Sequence, residues 1–203
     1  MVEMYHNGGF FMHPILACLI IGIAVSLAKF WTLTRASINT KKFVVKIKNA
    51  LAEGGVESAK EVCTNTRGPI ASILHAGLLR VNRGIDYVEK AITDAGSIEM
   101  AFLEKGLIWL STIATVAPML GFTGTVRGMI NAFDRIKEAN DISPSIVAGG
   151  ISEALLTTLF GLVVAIIIQF FHNYFVSRID KLIIDMQESS VDFVDSLAEI
   201  EVK

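Results

Sequence analysis

The chain has 203 residues, a formal net charge of −2, 52% hydrophobic residues and only 19% charged residues. Soluble domains carry nearer a quarter charged residues, so this composition argues against a soluble globular protein. The near-neutral charge gives no basic surface for nucleic acid. Cys18 and Cys63 form neither a disulfide framework nor a metal-ligand pattern, so we expect no metal site and no cofactor.

The apolar residues are concentrated in three long runs, each near the roughly 20 residues that cross a bilayer. We predict transmembrane helices at residues 10–33, 106–133 and 146–175. Met1 to Phe10 contains no Lys or Arg, which argues against a cleaved signal peptide and favours a retained first anchor. No alternating strand pattern occurs, so the predicted fold is an all-α integral membrane protein.

Basic residues are unevenly distributed between the connecting segments. Residues 34–105 carry many Lys and Arg, whereas residues 134–145 carry only Arg135 and Lys137. The positive-inside rule therefore predicts that residues 34–105 and the tail, residues 176–203, are cytoplasmic. It places the N-terminal residues 1–9 and the short loop, residues 134–145, on the opposite side of the membrane.

The pattern of residues 34–105, the long loop, predicts short helices separated by breaks at Gly54-Gly55, Gly68-Pro69 and Gly84. From Ile85 a helical pattern continues towards the second span without a breaker stronger than Gly96. We therefore expect one unbroken helix to pass from the cytoplasm into the second span. The tail has an apolar seam that continues the third span, so two of the three spans are predicted to extend into a cytoplasmic helical bundle.

The second span has a face of small residues at three- and four-residue steps, including Gly121, Gly124 and Gly128. Such faces let membrane helices approach closely, which is the simpler interpretation of these glycines. A second interpretation is that the face lines a channel holding another helix, and the two are compatible. Pro118 removes a backbone hydrogen bond within the same span and predicts a kink.

Glu153 is a carboxylate inside the third apolar run, followed by Thr157 and Thr158. An ionisable group at membrane depth costs about 2.5–3.5 kcal/mol on insertion scales, so it is a candidate functional residue. Thr157 lies four residues further on and shares a helix face with Glu153. Two interpretations remain open: a structural carboxylate paired with a cation, or part of a polar, water-accessible pathway in which the threonines take part.

Arg127 is the second ionisable residue at membrane depth and is the candidate charge partner of Glu153. Both residues lie towards the outer ends of their spans, so we expect them at similar depth. An ion pair between them would offset most of the cost of burying each charge alone.

Residues 110–133 and 148–162 resemble the second and third spans of the MotA/TolQ/ExbB proton channel family. The opening Gly8-Gly-Phe-Phe-Met-His-Pro-Ile is similar to the start of short ExbB-like chains. Three spans with a long cytoplasmic loop resemble ExbB and TolQ over essentially the whole chain. MotA proteins have an extra span and therefore resemble this chain less.

The resemblance implies a homo-oligomer, a pentamer, in the bacterial inner membrane with residues 1–9 and 134–145 in the periplasm. The pentamer would surround an ExbD/TolR-like single-span partner that carries a proton-accepting aspartate. Proton flow would drive movement that passes to a TonB- or TolA-like protein. By motif, Thr125, Glu153 and Thr158 would line the ring. Arg127 departs from the family pattern, which usually has an apolar residue there.

The process that would be energised stays open between TonB-dependent uptake, TolQ-type envelope maintenance and a gliding or motility stator. A non-conducting membrane scaffold is the main alternative. A small-solute secondary transporter is less favoured, because no inverted repeat is visible. The sequence contains no Walker loop, dinucleotide turn or nucleophile elbow, so we expect no enzyme activity.

Overall fold

The computed structural model describes residues 5, 8–37, 40–139 and 144–201. These residues form α1 Met12–Ala36, α2 Thr40–Thr64, α3 Pro69–Leu78, α4 Ile85–Glu104, α5 Leu107–Ala139 and α6 Pro144–Glu201. The predicted break at Gly54-Gly55 lies inside α2, where Gly55 has a non-helical φ of 69° and ψ of −167° and kinks the helix. A short 3₁₀ turn, Val81–Arg83, lies between α3 and α4. The described residues contain no β-strand, which confirms the predicted all-α fold.

Three stretches of the described chain are long and apolar enough to cross a membrane: Met12–Ala36, Val147–Ala198 and, with an interruption of the helix at Lys105 and Gly106, Ile85–Glu138. They contain the apolar cores of the three predicted spans. Most of the predicted N-terminal segment 1–9, the centre of the predicted loop 134–145 and the last residues of the tail lie outside the described residues. The predicted sidedness of each segment stays a prediction.

The expected unbroken helix from Ile85 into the second span is wrong, because the chain leaves helical geometry at Lys105 and Gly106. Lys105 has ψ 124° and Gly106 has φ 95°. A positive φ of this kind is accessible to glycine at little cost and to other residues only with strain. Gly96, the weaker breaker considered from the sequence, lies inside α4. By contrast, α6 continues for 58 residues from the third span into the tail, as predicted.

The chain divides into two units. Unit one comprises Met1–Ala28 and Gly106–Tyr174, and unit two comprises Lys29–Lys105 and Phe175–Lys203. Within unit one, Gly22 of α1 faces Ile168 of α6 and Ile113 of α5, so the three apolar helices meet there.

Unit one also exposes many large apolar side chains. Phe122, Ile166 and Phe170 are 68%, 68% and 73% exposed. An apolar surface of this extent indicates contact with lipid or with another protein rather than with water.

Unit two buries an apolar core between α2, α3, α4 and the tail of α6. The close approach of Gly77 in α3 to Ile92 of α4 shows how tightly two of these helices pack, because a Cβ at Gly77 would lie 2.8 Å from the Cγ1 of Ile92. Most of the predicted tail seam is buried, namely Ile179, Met186, Phe193 and Leu197. Ile183 is half-buried, and the side chain of Ile200 lies outside the described residues.

Cys63 provides a pH-dependent test of this core. The residue is buried in unit two, and burial raises the pKa of its thiol from 9.0 to about 11. At pH 7 only about one thiol in ten thousand is then ionised, and the thiolate is the reactive form. We expect a Cys18→Ser variant to label very slowly with maleimide at pH 7 and faster as the pH approaches 11.

The raised pKa of the Cys63 thiol also determines how its contribution to the stability of the fold changes with pH. Because the unfolded chain loses the Cys63 proton at a lower pH than the folded chain, it binds fewer protons above about pH 9. The contribution of Cys63 to stability is therefore complete below about pH 9 and is lost as the pH rises through about 11. Denatured protein, which should label at once, is the control. Rapid labelling of the folded protein at pH 7 would contradict the burial of this thiol.

Candidate functional site

Helices α5 and α6 approach each other so closely that their backbones touch. A Cβ added at Gly161 would lie 2.6 Å from the carbonyl oxygen of Ala117 and 3.1 Å from the Cα of Gly121. A Cβ at Gly124 would lie 2.6 Å from the Oγ1 of Thr157. The small-residue face identified in the second span is therefore the surface that contacts the third span.

The contact extends beyond these central glycines. A Cβ at Gly128 would lie 3.1 Å from the Cβ of Ala154, and Gly150 of α6 lies directly against Ala132 of α5. Pro118 lies inside α5, which continues as one helix through it. The face that includes Gly121, Gly124 and Gly128 thus packs against α6 over several turns.

Two threonine hydroxyls, one from each helix, meet within this contact. The Oγ1 of Thr125 is in hydrogen-bond contact with the Oγ1 of Thr158. Each of these oxygens also lies 3.2 Å from the carbonyl oxygen of Gly121. The carbonyl oxygen of Ala154 is a further, longer partner at 3.5 Å from Thr125 Oγ1. The two hydroxyl groups can donate only two hydrogen bonds at one time, whereas more than two acceptor oxygens lie within reach of them.

Thr157 differs from Thr158 although the two are adjacent. Its side chain is buried against Gly124, and its hydroxyl donates to the carbonyl of Ala154 in its own helix at 2.8 Å. The sequence placed both threonines on the predicted pathway. The structure brings Thr158 together with Thr125, whereas it gives Thr157 an intrahelical hydrogen bond and a packing contact.

Glu153 lies one residue before Ala154 and is half-buried. One of its carboxylate oxygens lies against Gly9, the second glycine of the Gly8-Gly9 pair that precedes α1. The contact between Gly9 and Glu153 was not predicted from the sequence. The Gly8-Gly9 pair ahead of the first span is the only sequence feature that indicates a close approach there. A side chain at Gly9 would occupy the space that the carboxylate fills.

Arg127 is exposed and does not form an ion pair with Glu153 in the described structure of one chain. The predicted pairing of these residues is therefore not present within the chain, and it stays a prediction for the assembled protein. What the site does contain is the carboxylate of Glu153, earlier in the same helix as Thr158, and two hydroxyls that can both donate and accept hydrogen bonds.

Comparison with known proteins agrees with these features. A model of the MotA/TolQ/ExbB proton channel family matches residues 65–188, which is more than half of the chain. The chain belongs to this family. The match includes all of α4 and α5, and it includes α6 through the Glu153 and Thr158 positions.

Individual relatives carry ExbB and TolQ names. A biopolymer transport protein ExbB homolog of Methanothermobacter thermautotrophicus is 33% identical over 180 residues, 88% of this chain and 64% of the relative. The biopolymer transport protein ExbB of Xanthomonas campestris is 35% identical over 99 residues, 49% of this chain and 39% of the relative. The Tol-Pal system protein TolQ of Pseudomonas aeruginosa is 36% identical over 96 residues, 47% of this chain and 42% of the relative.

The chain is thus an ExbB/TolQ-like, multi-pass membrane protein. The aligned part spans less than two thirds of each of these three relatives, so their names do not by themselves assign it a partner or a process.

Proposed function

We propose that this chain is an ExbB/TolQ-like subunit of a proton-driven motor in the bacterial inner membrane. It forms a homo-oligomeric ring, a pentamer, around an ExbD/TolR-like single-span partner with a membrane aspartate. Proton passage between ring and partner drives a movement that a TonB- or TolA-like protein carries to the outer membrane. Residues 1–9 and 134–145 face the periplasm, and residues 34–105 and 176–203 face the cytoplasm.

The observation that carries this proposal is the hydroxyl pair of Thr125 and Thr158 at the contact of two apolar helices. The carbonyl oxygen of Ala154, the residue after Glu153, lies 3.5 Å from the Oγ1 of Thr125. Polar groups at membrane depth are costly, and they are typical of ion and proton pathways. Thr157 contributes packing beside the pathway. Glu153 and the hydroxyls would shape the route, while the aspartate of the partner would take up the proton.

A proton-flux experiment tests the proposal. The chain and its single-span partner are reconstituted into vesicles that contain a pH-sensitive dye, and a pH gradient is applied. We expect proton flux that requires both proteins and that falls strongly in Glu153→Gln and in Thr158→Val. The first variant replaces the carboxylate by an uncharged amide, and the second removes a hydroxyl while nearly preserving side-chain volume.

Ser152→Ala is the matched control, because Ser152 is exposed and precedes Glu153 directly. Its flux should equal that of the unchanged protein. Flux that persists in the Glu153→Gln, Thr158→Val double variant would exclude these residues from conduction. Absence of flux from the unchanged pair would reject the motor.

A non-conducting membrane scaffold is the second candidate, and one observation favours it. The hydroxyls of Thr125, Thr157 and Thr158 all have hydrogen-bond partners within the chain, as they would in a purely structural helix contact. The scaffold predicts an intact oligomer without proton flux, so the same vesicles distinguish the two functions.

A further inference from the structure

Unit two contains a cavity of about 580 Å³ formed where three parts of the chain meet. Trp31 and Arg35 of α1 line one side, and Arg67, just before α3, lines another. Glu99 and Phe102 of α4 complete it. The predicted proton pathway does not include any of these residues.

The charge of the cavity is predominantly positive. Neither Arg35 nor Arg67 forms an ion pair within the described part of the chain, and Arg35 lies over the ring of Trp31 at 5.1 Å. Lys29 is buried, and its Nζ donates to the carbonyl of Leu103, which also lines the cavity. Three cationic side chains thus lie in or beside a cavity whose lining includes one carboxylate, Glu99.

The cavity lies at sequence positions next to two predicted spans. Trp31 and Arg35 flank residue 33, where the first span is predicted to end, and Phe102 precedes the second span, predicted to begin at residue 106. Trp31 and Phe102 are 64% and 58% exposed. Exposed aromatic residues at the ends of spans are typical of the headgroup level of a bilayer, and the basic residues identify this as the cytoplasmic side.

We propose that this cavity binds the phosphate of an anionic phospholipid in the cytoplasmic leaflet. The planar guanidinium groups of Arg35 and Arg67 match the oxygens of a phosphodiester and can each donate two hydrogen bonds to it. Trp31 and Phe102 contact the apolar part of the same lipid. The inference goes beyond the proposed motor; it uses the predicted ends of the spans but neither the ring nor proton conduction.

One observation on the structure and one general property of membranes favour a lipid over free phosphate. The exposed aromatic side chains at the cavity have no role in binding an inorganic anion, whereas they suit the glycerol and first methylenes of a lipid. In addition, the cytoplasmic leaflet holds anionic lipid at high local concentration and attracts basic residues near spans. The two sources of phosphate can be separated experimentally.

The experiment measures lipid binding to the purified chain in vesicles of phosphatidylcholine with added phosphatidylglycerol. Phosphatidylglycerol retained per chain is counted by mass spectrometry as its content in the vesicles is varied. We expect the unchanged protein to retain phosphatidylglycerol in preference to phosphatidylcholine. In Arg35→Gln, Arg67→Gln the apparent dissociation constant for phosphatidylglycerol should rise by about tenfold or more, as expected for lost charge-assisted hydrogen bonds.

Arg80→Gln, Arg83→Gln is the matched control. It removes two exposed arginines of the same unit that do not line the cavity, so the change in net charge is identical. Its retention of phosphatidylglycerol should match that of the unchanged protein. An equal loss in the control pair would show attraction by overall charge only and would overturn the site.

A third arm adds inorganic phosphate, with chloride at equal ionic strength as its reference. Retained lipid should be the same in both salts. Displacement of the lipid by phosphate alone would overturn the lipid assignment, as would equal retention of the two lipids by the unchanged protein. The latter comparison needs no variant, so the proposal can fail even if the double variant does not fold. Proton flux is not the readout, so failure here is distinct from failure of the motor.

Discussion

Gly161→Ala is expected to lower the free energy of unfolding by about 1–3 kcal/mol relative to Gly149→Ala, the usual cost of overpacking a closely packed site. The added methyl at Gly161 would lie 2.6 Å from the carbonyl oxygen of Ala117 and 3.1 Å from the Cα of Gly121. Both neighbours are backbone atoms, so the methyl can be accommodated only if α5 and α6 move apart. Their separation would also disrupt the hydrogen bond between Thr125 and Thr158.

Gly149 is the matched control because it lies in the same helix and a Cβ there would meet no atom within 4 Å. The intrinsic gain in helix propensity from glycine to alanine, about 1 kcal/mol, applies at both positions and cancels in the comparison. The two variants are compared by denaturant titration in the same mixed micelles. Equal midpoints would show that the helices are not in backbone contact at Gly161.

Thr158→Val is expected to cost about 1 kcal/mol, whereas Thr157→Val should cost only a few tenths. The substitution replaces a hydroxyl by a methyl of similar size, so the comparison isolates the hydrogen bonds. Thr158 makes two contacts to α5, with the hydroxyl of Thr125 and the carbonyl of Gly121. Thr157 makes its hydrogen bond within α6, to a carbonyl that also has its normal backbone donor.

A double-mutant cycle with Thr125→Val measures the link between the two hydroxyls directly. If the pair in the structure is correct, the Thr125 and Thr158 substitutions should be non-additive, with a coupling of about 1 kcal/mol. Thr125 and Thr157 should be nearly additive. Measurement by denaturant titration in micelles suffices. A larger loss from Thr157→Val than from Thr158→Val would contradict this hydrogen-bond pattern.

The sequence predicted the helices well where the cause was local. Runs of apolar residues indicated the spans, and the seam that includes Ile179 and Met186 indicated the buried face of the tail. The break at Gly106 was missed because a single glycine at the start of an apolar run is compatible with a continuing helix. Its φ of 95° is a conformation that glycine can adopt but does not require, so a pattern of residue types does not predict it.

The residues of the candidate site were predictable only in part, because their contacts depend on how the helices pack and not only on local residue patterns. The small-residue face and the threonines could be identified as candidates, because packing and polar residues in apolar runs leave a clear pattern. Which of two adjacent threonines meets Thr125 depends on the rotation of α6 about its axis. The contact between Gly9 and Glu153 joins positions far apart in sequence, and the exposure of Arg127 depends on the face of α5 that is packed.

The hydroxyl pair has one consequence that concerns electric polarity. When Thr125 donates to the Gly121 carbonyl, Thr158 donates to Thr125, and when Thr158 donates to that carbonyl, Thr125 donates to Thr158. The hydrogen bond between the two hydroxyls points in opposite directions in these two arrangements, while the heavy atoms keep the same positions. The component of the dipole along the line between the two Oγ1 atoms is therefore reversible, and a nearby charge can invert it by rotating two hydroxyl bonds while both backbones stay in place.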